Sequence, residues 1–495
     1  MTLDWRRHVV IGWRRGLGLG LTVAVSTVCH AAPPPWLSPC RLQGIEHEAL
    51  CGVLSRPLDP AAAAGRQIDV HVAVLPALAR NKKPDPVFFF AGGPGQSAIE
   101  LAGNVQRMLV RLSNRRDMVL IDQRGTGRSA PLRCARELPT RPLALTMDTA
   151  LAQRELDACR VRLQALPHGD LRQYTTSIAV ADADAVRQRL GAEQINLVGV
   201  SYGTRVALEY LRQFPAAVRR VVIDGVAPPD MVLPAASSQD NQAALDALFT
   251  ACDDDAACAA RYPALRQKWR ALLTALPQTV RLTHPVTGLE ESVTLGRDAV
   301  LGLVRQPLYV PALAAALPLA ISEAAAGRFS PLFGLASSLD SSRRGTGIAQ
   351  GMHLSVLCSE DEPRVAQATD RPGADFGRSF AEAYRRSCAD WPRAVVPAAF
   401  LTVTRAEVAT LVLSGGVDPA TPARHGERIA QALGPKARHV VVANAGHGVL
   451  GLGCMRDVVY RFIDALDDGA AAEVDARCAA AVPRPPTFKL PQVAP

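Results

Sequence analysis

The segment GVSYGT places a serine between two glycines, at a junction between two kinds of sequence. Gly199-Val200-Ser201-Tyr202-Gly203 follows the pattern G-x-S-x-G, with an apolar stretch before it and an amphipathic stretch after it. In a sharp turn from strand to helix, the glycines leave room for the turn, and the serine hydroxyl is lifted above the sheet. The helix N-terminus behind it favours negative charge. We predict that Ser201 is a nucleophile; the alternative is a purely structural turn.

A serine nucleophile needs a general base, and that base needs a carboxylate to orient it. In this architecture the order along the chain is serine, acid, histidine. His447 lies in ANAGHGVLG after the last apolar strand, and Asp418 lies in GGVDPATP after the preceding one. His425 and His439 are rivals, but one falls in a helical pattern and the other enters a strand. We predict His447 as the base and Asp418 as the acid, although an aspartate there also fits a plain helix N-cap.

A glycine loop, AGGPGQS (91–97), follows the apolar stretch PVFFF. A phosphate-binding loop needs G-x-x-x-x-G-K-[ST] or G-x-G-x-x-G, and this loop matches neither spacing. A serine hydrolase instead needs a loop that offers a backbone N–H to the oxyanion, beside the N–H that follows the nucleophile. We therefore predict an oxyanion hole made by the N–H groups of Gly93 and Tyr202.

These residues sit in a chain where continuous apolar stretches alternate with amphipathic ones. The pattern is typical of an α/β fold, with a mostly parallel sheet covered by helices on both faces. The predicted strands are 68–77, 86–90, 117–122, 194–200, 218–226, 408–416 and 437–446. The predicted helices of this pattern are 98–112, 149–166, 178–191, 204–214, 423–434 and 456–466.

The alternation stops between about Pro228 and Phe400, where the sequence is rich in alanine and leucine. The economical interpretation is a helical cap inserted between two strands of one sheet, and the alternative is a separate helical domain. The predicted organisation is a signal peptide over 1–31, the first part of the core over 32–228, a mainly helical cap over 229–400, the C-terminal part of the core over 401–480 and a proline-rich tail over 481–495. We expect the tail to be poorly ordered.

The first 31 residues have the pattern of an export signal. Four arginines precede the apolar run 16–29, and residues 29–31 form a small-x-small cleavage site. The run is short and glycine-rich for a transmembrane helix, which makes an uncleaved anchor the less favoured alternative. We predict a periplasmic or secreted protein, without stable membrane insertion after signal cleavage.

Ten cysteines follow the predicted cleavage site, and an even number is typical of disulfide-bonded exported proteins. Their spacing places each cysteine near one neighbour in the sequence. We predict five sequential disulfides: Cys40–Cys51, Cys134–Cys159, Cys252–Cys258, Cys358–Cys388 and Cys454–Cys478.

Composition and motifs exclude several other functions. A net charge of +9 over 495 residues is a mild bias, and no basic block interleaved with aromatic residues indicates nucleic-acid binding. The chain has no C-x-x-C motif for a zinc site, and the consecutive aspartates of CDDDAAC (252–258) do not match a calcium loop. We predict no metal and no cofactor.

Five segments together resemble the proline iminopeptidase and tripeptidyl aminopeptidase family of α/β-hydrolases. They are GGPGQS, LIDQRGTGRS (120–129), GVSYGT, GGVDPATP and AGHG, and the resemblance extends over about residues 40–480. It implies the α/β-hydrolase fold with an inserted helical cap, and a triad on Ser201, Asp418 and His447. It also implies cleavage of peptides from a free N-terminus, releasing single residues, tripeptides or an N-terminal proline. Many members carry histidine where this chain has Ala91, so a polar contact near the oxyanion loop is missing here.

An enzyme that acts on free N-termini must bind the substrate ammonium, which calls for carboxylates in a confined pocket. Similar proteins place such acids on the cap, and VLCSEDEPR (356–364) offers Glu360 and Asp361 as candidates. A solvated acidic turn is the alternative for the same residues.

Taken together, the residues predict an exported serine exopeptidase that works through an acyl-enzyme on peptides with a free N-terminus. The same triad hydrolyses esters, so a carboxylesterase is the alternative enzyme. A catalytically inactive binding protein on this fold is the alternative from another class, and the complete triad argues against it.

Overall fold

A computed structural model of the chain describes residues 34–135, 138–338 and 347–488. The predicted signal peptide and residues 489–495 of the predicted tail lie outside the described residues. Across the described residues, no helix combines the length and the apolar character that crossing a membrane requires.

Two sheets are formed by the eleven strands of the described residues. These strands are β1 (Leu37–Cys40), β2 (Ala49–Pro57), β3 (Gln67–Leu75), β4 (Val87–Phe90), β5 (Met118–Ile121), β6 (Ile195–Val200), β7 (Val218–Asp224), β8 (Gln278–Thr283), β9 (Glu290–Leu295), β10 (Thr410–Gly415) and β11 (Ala437–Val442). The large sheet has the order β1-β2-β3-β5-β4-β6-β7-β10-β11, and β8 pairs with β9 in a separate hairpin. The strands from β5 to β11 in this order pair in parallel, and β1, β2 and β3 pair antiparallel at one edge.

The central strands are apolar throughout because both faces of the sheet are covered. Every residue of β4 is buried, and alternate side chains point to opposite faces. Phe88 and Phe90 pack into one apolar cluster with helices on their side, whereas Val87 and Phe89 pack into a second cluster across the sheet. The predicted α/β-hydrolase sheet with helices on both faces is therefore confirmed.

Seventeen α-helices occur in the described part of the chain. They are α1 (Ala102–Met108), α2 (Leu143–Thr146), α3 (Thr149–Gln164), α4 (Thr176–Leu190), α5 (Tyr202–Gln213), α6 (Leu233–Asp254), α7 (Ala256–Arg261), α8 (Leu265–Thr274), α9 (Arg297–Leu308), α10 (Pro311–Ala314), α11 (Leu317–Ala325), α12 (Ser330–Ser337), α13 (Gln350–Glu360), α14 (Ser379–Cys388), α15 (Ala423–Leu433), α16 (Met455–Asp464) and α17 (Asp468–Ala472).

The segment between β7 and β10, where the sequence predicts the cap, contains α6 to α14 and the β8–β9 hairpin. It has an apolar cluster of its own around the fully buried Trp269. The hairpin was not expected from the sequence. It forms because Val280 and Leu282 face Val293 and Leu295 on one buried side of the pair.

The expectation of a poorly ordered tail is wrong for the part of the tail that the structure describes. Residues 477–481 form a 3₁₀ turn, and the chain then crosses from the core to the cap. The carbonyl of Val482 accepts a hydrogen bond from Asn444, and Phe488 exchanges hydrogen bonds with Ala315 and Tyr262 of the cap. These contacts hold the proline-rich segment in place, since they satisfy its backbone groups.

Five disulfides join the ten cysteines of the described residues. The pairs are Cys40–Cys51, Cys134–Cys159, Cys252–Cys258, Cys358–Cys388 and Cys454–Cys478. Each links neighbours in the sequence, with separations between 6 and 30 residues. Such a density of disulfides is typical of extracellular or secreted proteins.

Candidate active site

Ser201 occupies the turn between β6 and α5 in a conformation that few non-glycine residues adopt. Its φ is 57° and its ψ is −124°, a strained combination of the kind that clusters at functional sites. The flanking glycines are required by close packing. A Cβ atom on Gly199 would lie 2.3 Å from the carbonyl oxygen of Gly203, and one on Gly203 would lie 2.0 Å from that of Phe90. The turn is thus the strand–turn–helix arrangement that the motif predicts.

Ser201 and His447 lie against two successive residues at the end of β7. The N–H of Ser201 donates to the carbonyl oxygen of Asp224 at 2.8 Å. A Cβ atom on the next residue, Gly225, would lie 3.3 Å from Cε1 of the His447 ring. Residues that are 246 positions apart in the sequence are therefore brought to the same end of β7, which lies between β6 and β10 in the sheet.

His447 is held by a carboxylate on its ring and by the cap on its backbone. Its Nδ1 donates to Oδ2 of Asp418 at 2.8 Å, and its side chain is 16% exposed. Its backbone N–H donates to the carbonyl of Tyr309 at 2.9 Å, and the Tyr309 ring lies edge-on with the two centroids 5.2 Å apart. With Nδ1 engaged, Nε2 is the ring nitrogen left to accept a proton.

Asp418 is a buried carboxylate with several donors. It accepts from the N–H groups of Ala420 and Thr421 and from the Thr421 hydroxyl, at 2.8, 3.0 and 3.0 Å. It therefore closes the turn of residues 418–421 and also binds the histidine. The N-cap of α15 is Pro422, so the helix N-cap alternative for Asp418 is wrong. Burial alone would raise the pKa of Asp418, but the charge of His447 and these hydrogen bonds outweigh it and hold the pKa below its usual value.

The pKa of His447 lies above its usual value. Burial alone would lower this pKa, but the charge of Asp418, its hydrogen bond and the more distant charge of Asp224 together raise it. An imidazole with a raised pKa beside a carboxylate is suited to take a proton from a hydroxyl and to pass it on.

The two rival histidines are engaged elsewhere. Nε2 of His425, on α15, lies 2.9 Å from the Asp240 carboxylate in a buried pair of its own. Nε2 of His439, on β11, lies 3.0 Å from the Ser414 hydroxyl. In each histidine, Nε2 is already engaged in this contact, so it is not free to accept a proton from a serine hydroxyl.

Asp224 is a residue of the site that the sequence analysis missed. Its carboxylate accepts backbone hydrogen bonds from Val449 and Leu450, at 2.8 to 3.0 Å, and so fixes the loop that carries His447. Burial raises the pKa of Asp224 to about 6, in spite of these donors. In the sequence, Asp224 is only an aspartate that precedes a glycine at the end of an apolar strand. This pattern is too common to indicate a role in a functional site.

The glycine loop after β4 lies beside Ser201, since a Cβ atom on Gly92 would be 3.1 Å from Cβ of the serine. Gly93 has a φ of +113°, which glycine adopts without strain. Neither the N–H of Gly93 nor that of Tyr202 has a hydrogen-bond partner among the residues that the structure describes. Two unpaired donors beside a serine hydroxyl are the arrangement that an oxyanion requires.

The glycine loop is held by the neighbouring DQRGTGRS segment and by the cap. The Ser97 hydroxyl donates to Asp122 at 2.5 Å, in the DQRGTGRS segment. From the cap, the N–H of Ala349 donates to the Gly95 carbonyl at 2.9 Å. Nδ1 of His353 lies 3.1 Å from the Pro94 carbonyl oxygen and donates to it. His353 thus contacts the loop from the cap side, in a chain where Ala91 provides no polar side chain.

Glu360 and Asp361 do not offer free carboxylates to a substrate ammonium, which corrects the expectation for these residues. Arg205 of α5 binds both oxygens of Asp361, at 2.7 and 3.1 Å, and also Glu360 at 3.2 Å. Glu360 further accepts from the N–H and hydroxyl of Thr176. All three charged side chains are at most 1% exposed. The cluster links α13 of the cap to α5 behind the serine, which is a structural role.

Within the described ranges, no group of three or more histidine, cysteine, aspartate or glutamate side chains could hold a metal ion.

Comparisons with known proteins show the family of the chain. A family model for the alpha/beta hydrolase fold matches residues 85–453. The chain is 26% identical over 448 residues to the serine protease Hip1 of Mycobacterium tuberculosis, covering 81% of this chain and 83% of that protein. It is 31% identical over 195 residues to the tripeptidyl aminopeptidase of Streptomyces lividans, covering 36% of this chain and 35% of that protein.

A solved structure of a proline iminopeptidase-related protein from Thermus thermophilus covers 86% of this chain and 98% of its own, with 18% identity and a TM-score of 0.36.

Proposed function

The chain belongs to the α/β-hydrolase family and is a serine hydrolase of the peptidase type, and from this premise we propose that Ser201, His447 and Asp418 carry its reaction. The observation that supports the proposal most is the pairing of His447 with Asp418 at 2.8 Å beside the strained turn of Ser201. A histidine oriented by a buried carboxylate is what a serine hydroxyl needs in order to become a nucleophile.

In the first half of the reaction, the Ser201 oxygen attacks the carbonyl carbon of the scissile bond while Nε2 of His447 takes the hydroxyl proton. The carbonyl oxygen becomes negatively charged, and the N–H groups of Gly93 and Tyr202 donate to it. The imidazolium then gives its proton to the leaving amine as the bond to nitrogen breaks, which leaves an acyl-enzyme.

In the second half, His447 takes a proton from water as the water oxygen attacks the acyl carbon. The tetrahedral intermediate collapses, the proton returns to the Ser201 oxygen, and the carboxylic acid product leaves. Asp418 stays ionised through both halves, because its low pKa and its donors favour the carboxylate.

The proposed substrates are peptides with a free N-terminus, from which the enzyme releases residues or short peptides. This part rests on the likeness to a tripeptidyl aminopeptidase and on the sequence segments shared with that family. The proposed location is the periplasm or the extracellular space, after removal of residues 1–31. Support comes from the five disulfides and from the pattern of the first 31 residues.

The test is a panel of chromogenic anilides and p-nitrophenyl esters. The anilides carry one to three residues, each with a free and with an acetylated N-terminus. We expect turnover of free-amine anilides, loss of at least tenfold in kcat/KM on acetylation, and one anilide length preferred over the others. Equal turnover of acetylated anilides would indicate an endopeptidase, and turnover of esters alone would indicate a carboxylesterase.

A further inference from the structure

A set of cap side chains forms a continuous path around the site, from the oxyanion loop to the general base. We call it the cap arc, and it consists of His353, Tyr384, Phe380, Arg305 and Tyr309. It begins where His353 donates to the Pro94 carbonyl and accepts, through Nε2, from the Tyr384 hydroxyl at 2.7 Å. It ends where the Tyr309 ring meets the His447 ring, with centroids 5.2 Å apart.

The middle of the cap arc is aromatic, with one charged member. The rings of Tyr384 and Phe380 are 5.0 Å apart in an edge-on arrangement. The guanidinium carbon of Arg305 lies 5.2 Å from the Phe380 ring centre and 6.0 Å from that of Tyr309. A guanidinium held over two rings is oriented and partly removed from water, although no opposite charge neutralises it.

Arg305 has no carboxylate partner among the described residues, and unlike other cap arginines in that situation, such as Arg270 and Arg281, it is not exposed. Arg266 and Arg328, by contrast, pair with Asp246 and Glu323. Arg305 is half-buried, and within the described ranges it makes neither an ion pair nor a hydrogen bond. A partly buried charge without a partner is costly, so such a group is poised to gain from a ligand that supplies the opposite charge.

The charge of Arg305 acts on the two tyrosines of the cap arc, and its guanidinium carbon lies 6.0 Å from the ring centre of Tyr309. Burial raises the pKa of both Tyr309 and Tyr384, and the positive charge of Arg305 works against this rise at both phenols. Tyr309 is the residue whose carbonyl holds the backbone of His447. Arg305 is therefore separated from the general base by a single aromatic ring.

From these contacts we propose that Arg305 is a specificity residue that binds a carboxylate of the substrate. Guanidinium and carboxylate form two parallel hydrogen bonds in a fixed geometry, which would place the peptide along the cap arc. The carboxylate is either an acidic side chain next to the scissile bond or the free C-terminus of a short peptide. The inference rests on the proposed function, since it assumes that the substrate is acylated at Ser201.

The experiment uses two pairs of peptides that differ in one carboxylate. The first pair carries glutamate or glutamine beside the scissile bond, with an amidated C-terminus. The second pair is a neutral tetrapeptide with a free or an amidated C-terminus. We expect wild-type enzyme to prefer the carboxylate in one pair by about 10- to 100-fold in kcat/KM, and the pair that shows the preference identifies the source.

Arg305→Gln should abolish that preference while turnover of the amide partner stays within about twofold. Arg305→Lys should keep part of it, because the charge remains and the two-pronged geometry is lost. The matched control is Arg281→Gln, which removes an exposed charge from the cap hairpin and should leave the preference intact. Circular dichroism and titration of active sites with a fluorophosphonate confirm that each variant is folded.

Two results would overturn the proposal: no preference for either carboxylate in the wild type, or an equal loss on acid and amide in Arg305→Gln. A pair of p-nitrophenyl esters, the monosuccinate and the succinamate, separates this failure from that of the proposed function. If no peptide is cleaved, the peptidase proposal is wrong. The ratio of kcat/KM for the monosuccinate to that for the succinamate then tests Arg305 independently of peptide cleavage. We expect the wild type to prefer the monosuccinate.

Discussion

The backbone carbonyl of Asp224 accepts a hydrogen bond of 2.8 Å from the N–H of Ser201. The carboxylate of the same aspartate binds the N–H groups of Val449 and Leu450, just after His447, the proposed general base. One residue at the end of β7 therefore contacts both the turn of Ser201 and the loop of His447, the proposed nucleophile and base. The central parallel strands bring these parts together, because β7 lies between β6 and β10.

We expect Asp224→Asn to lower kcat by about 10- to 100-fold while KM changes little. The new amide N–H₂ would face backbone donors, so the loop loses acceptors and shifts, and loss of such buried hydrogen bonds costs about 1–3 kcal/mol of stability. Steady-state kinetics and urea unfolding measure both effects. An unchanged kcat in a folded variant would show that Asp224 does not position the site.

Asp418→Asn should lower kcat by about 10⁴-fold, because the imidazole loses its orienting carboxylate and takes the wrong tautomer. The matched control is Asp240→Asn, which breaks the other buried histidine–carboxylate pair, His425 with Asp240. This control should lose stability and keep its kcat. The reverse result, with the larger kinetic loss in Asp240→Asn, would assign the general base to His425.

The pH profile should report the raised pKa of His447. Only neutral imidazole accepts the serine proton, so kcat/KM falls as the pH drops through this pKa. Since Asp418 and Asp224 raise it, the midpoint of the acidic limb is expected above the usual value of 6.5. In Asp224→Asn the midpoint should move down, because one negative charge is removed. A midpoint below 6.5 in the wild type would contradict this account.

Gly93→Val should lower kcat by about 10²- to 10³-fold, the usual cost of losing one oxyanion donor. A side chain there would clash, since its Cβ would lie 2.7 Å from the Gly95 nitrogen, and φ is +113°. Gly191→Ala is the control, because Gly191 also has a positive φ of 70° but has no atom within 4 Å of its Cβ position. It should lose some stability and no activity per folded molecule.

The Cys358–Cys388 disulfide joins α13 and α14, the helices that carry His353 and Tyr384. Replacing both cysteines with alanine should lower the free energy of unfolding by about 4 kcal/mol and also reduce kcat, because the contact with the oxyanion loop is loosened. The Cys252–Cys258 disulfide spans only 6 positions of the sequence. Replacing both of these cysteines with alanine should lower the free energy of unfolding by about 2 kcal/mol, with no change in kcat. Equal kinetic effects would argue against a specific role for α13 and α14.

The sequence predicts the sheet and the turn of Ser201 because their signals are local. Apolar runs mark strands that are covered on both faces, and the glycines at 199 and 203 mark places where two backbones touch. Asp418 and His447 follow from their positions after successive strands. Each of these inferences needs only a few neighbouring residues.

The features that the sequence analysis did not predict depend on contacts between residues that are far apart in the chain. Glu360 and Asp361 form ion pairs with Arg205, which lies 155 and 156 positions earlier in the sequence. The local sequence therefore cannot distinguish a solvated acidic turn from a buried ion cluster. Asp224 gains its role only because β7 lies between β6 and β10. The described part of the tail, which ends at Phe488, is bound by donors and acceptors on the cap, and its proline-rich composition does not reveal this.

The central claim is that Ser201 is the nucleophile, and covalent labelling tests it most directly. The enzyme is treated with a fluorophosphonate and the modified residue is located by peptide mass spectrometry, with Ser201→Ala treated in parallel. We predict one adduct, on Ser201, formed together with loss of all hydrolytic activity, and neither adduct nor activity in Ser201→Ala. An adduct on another residue, or hydrolysis surviving in a folded Ser201→Ala variant, would contradict the account.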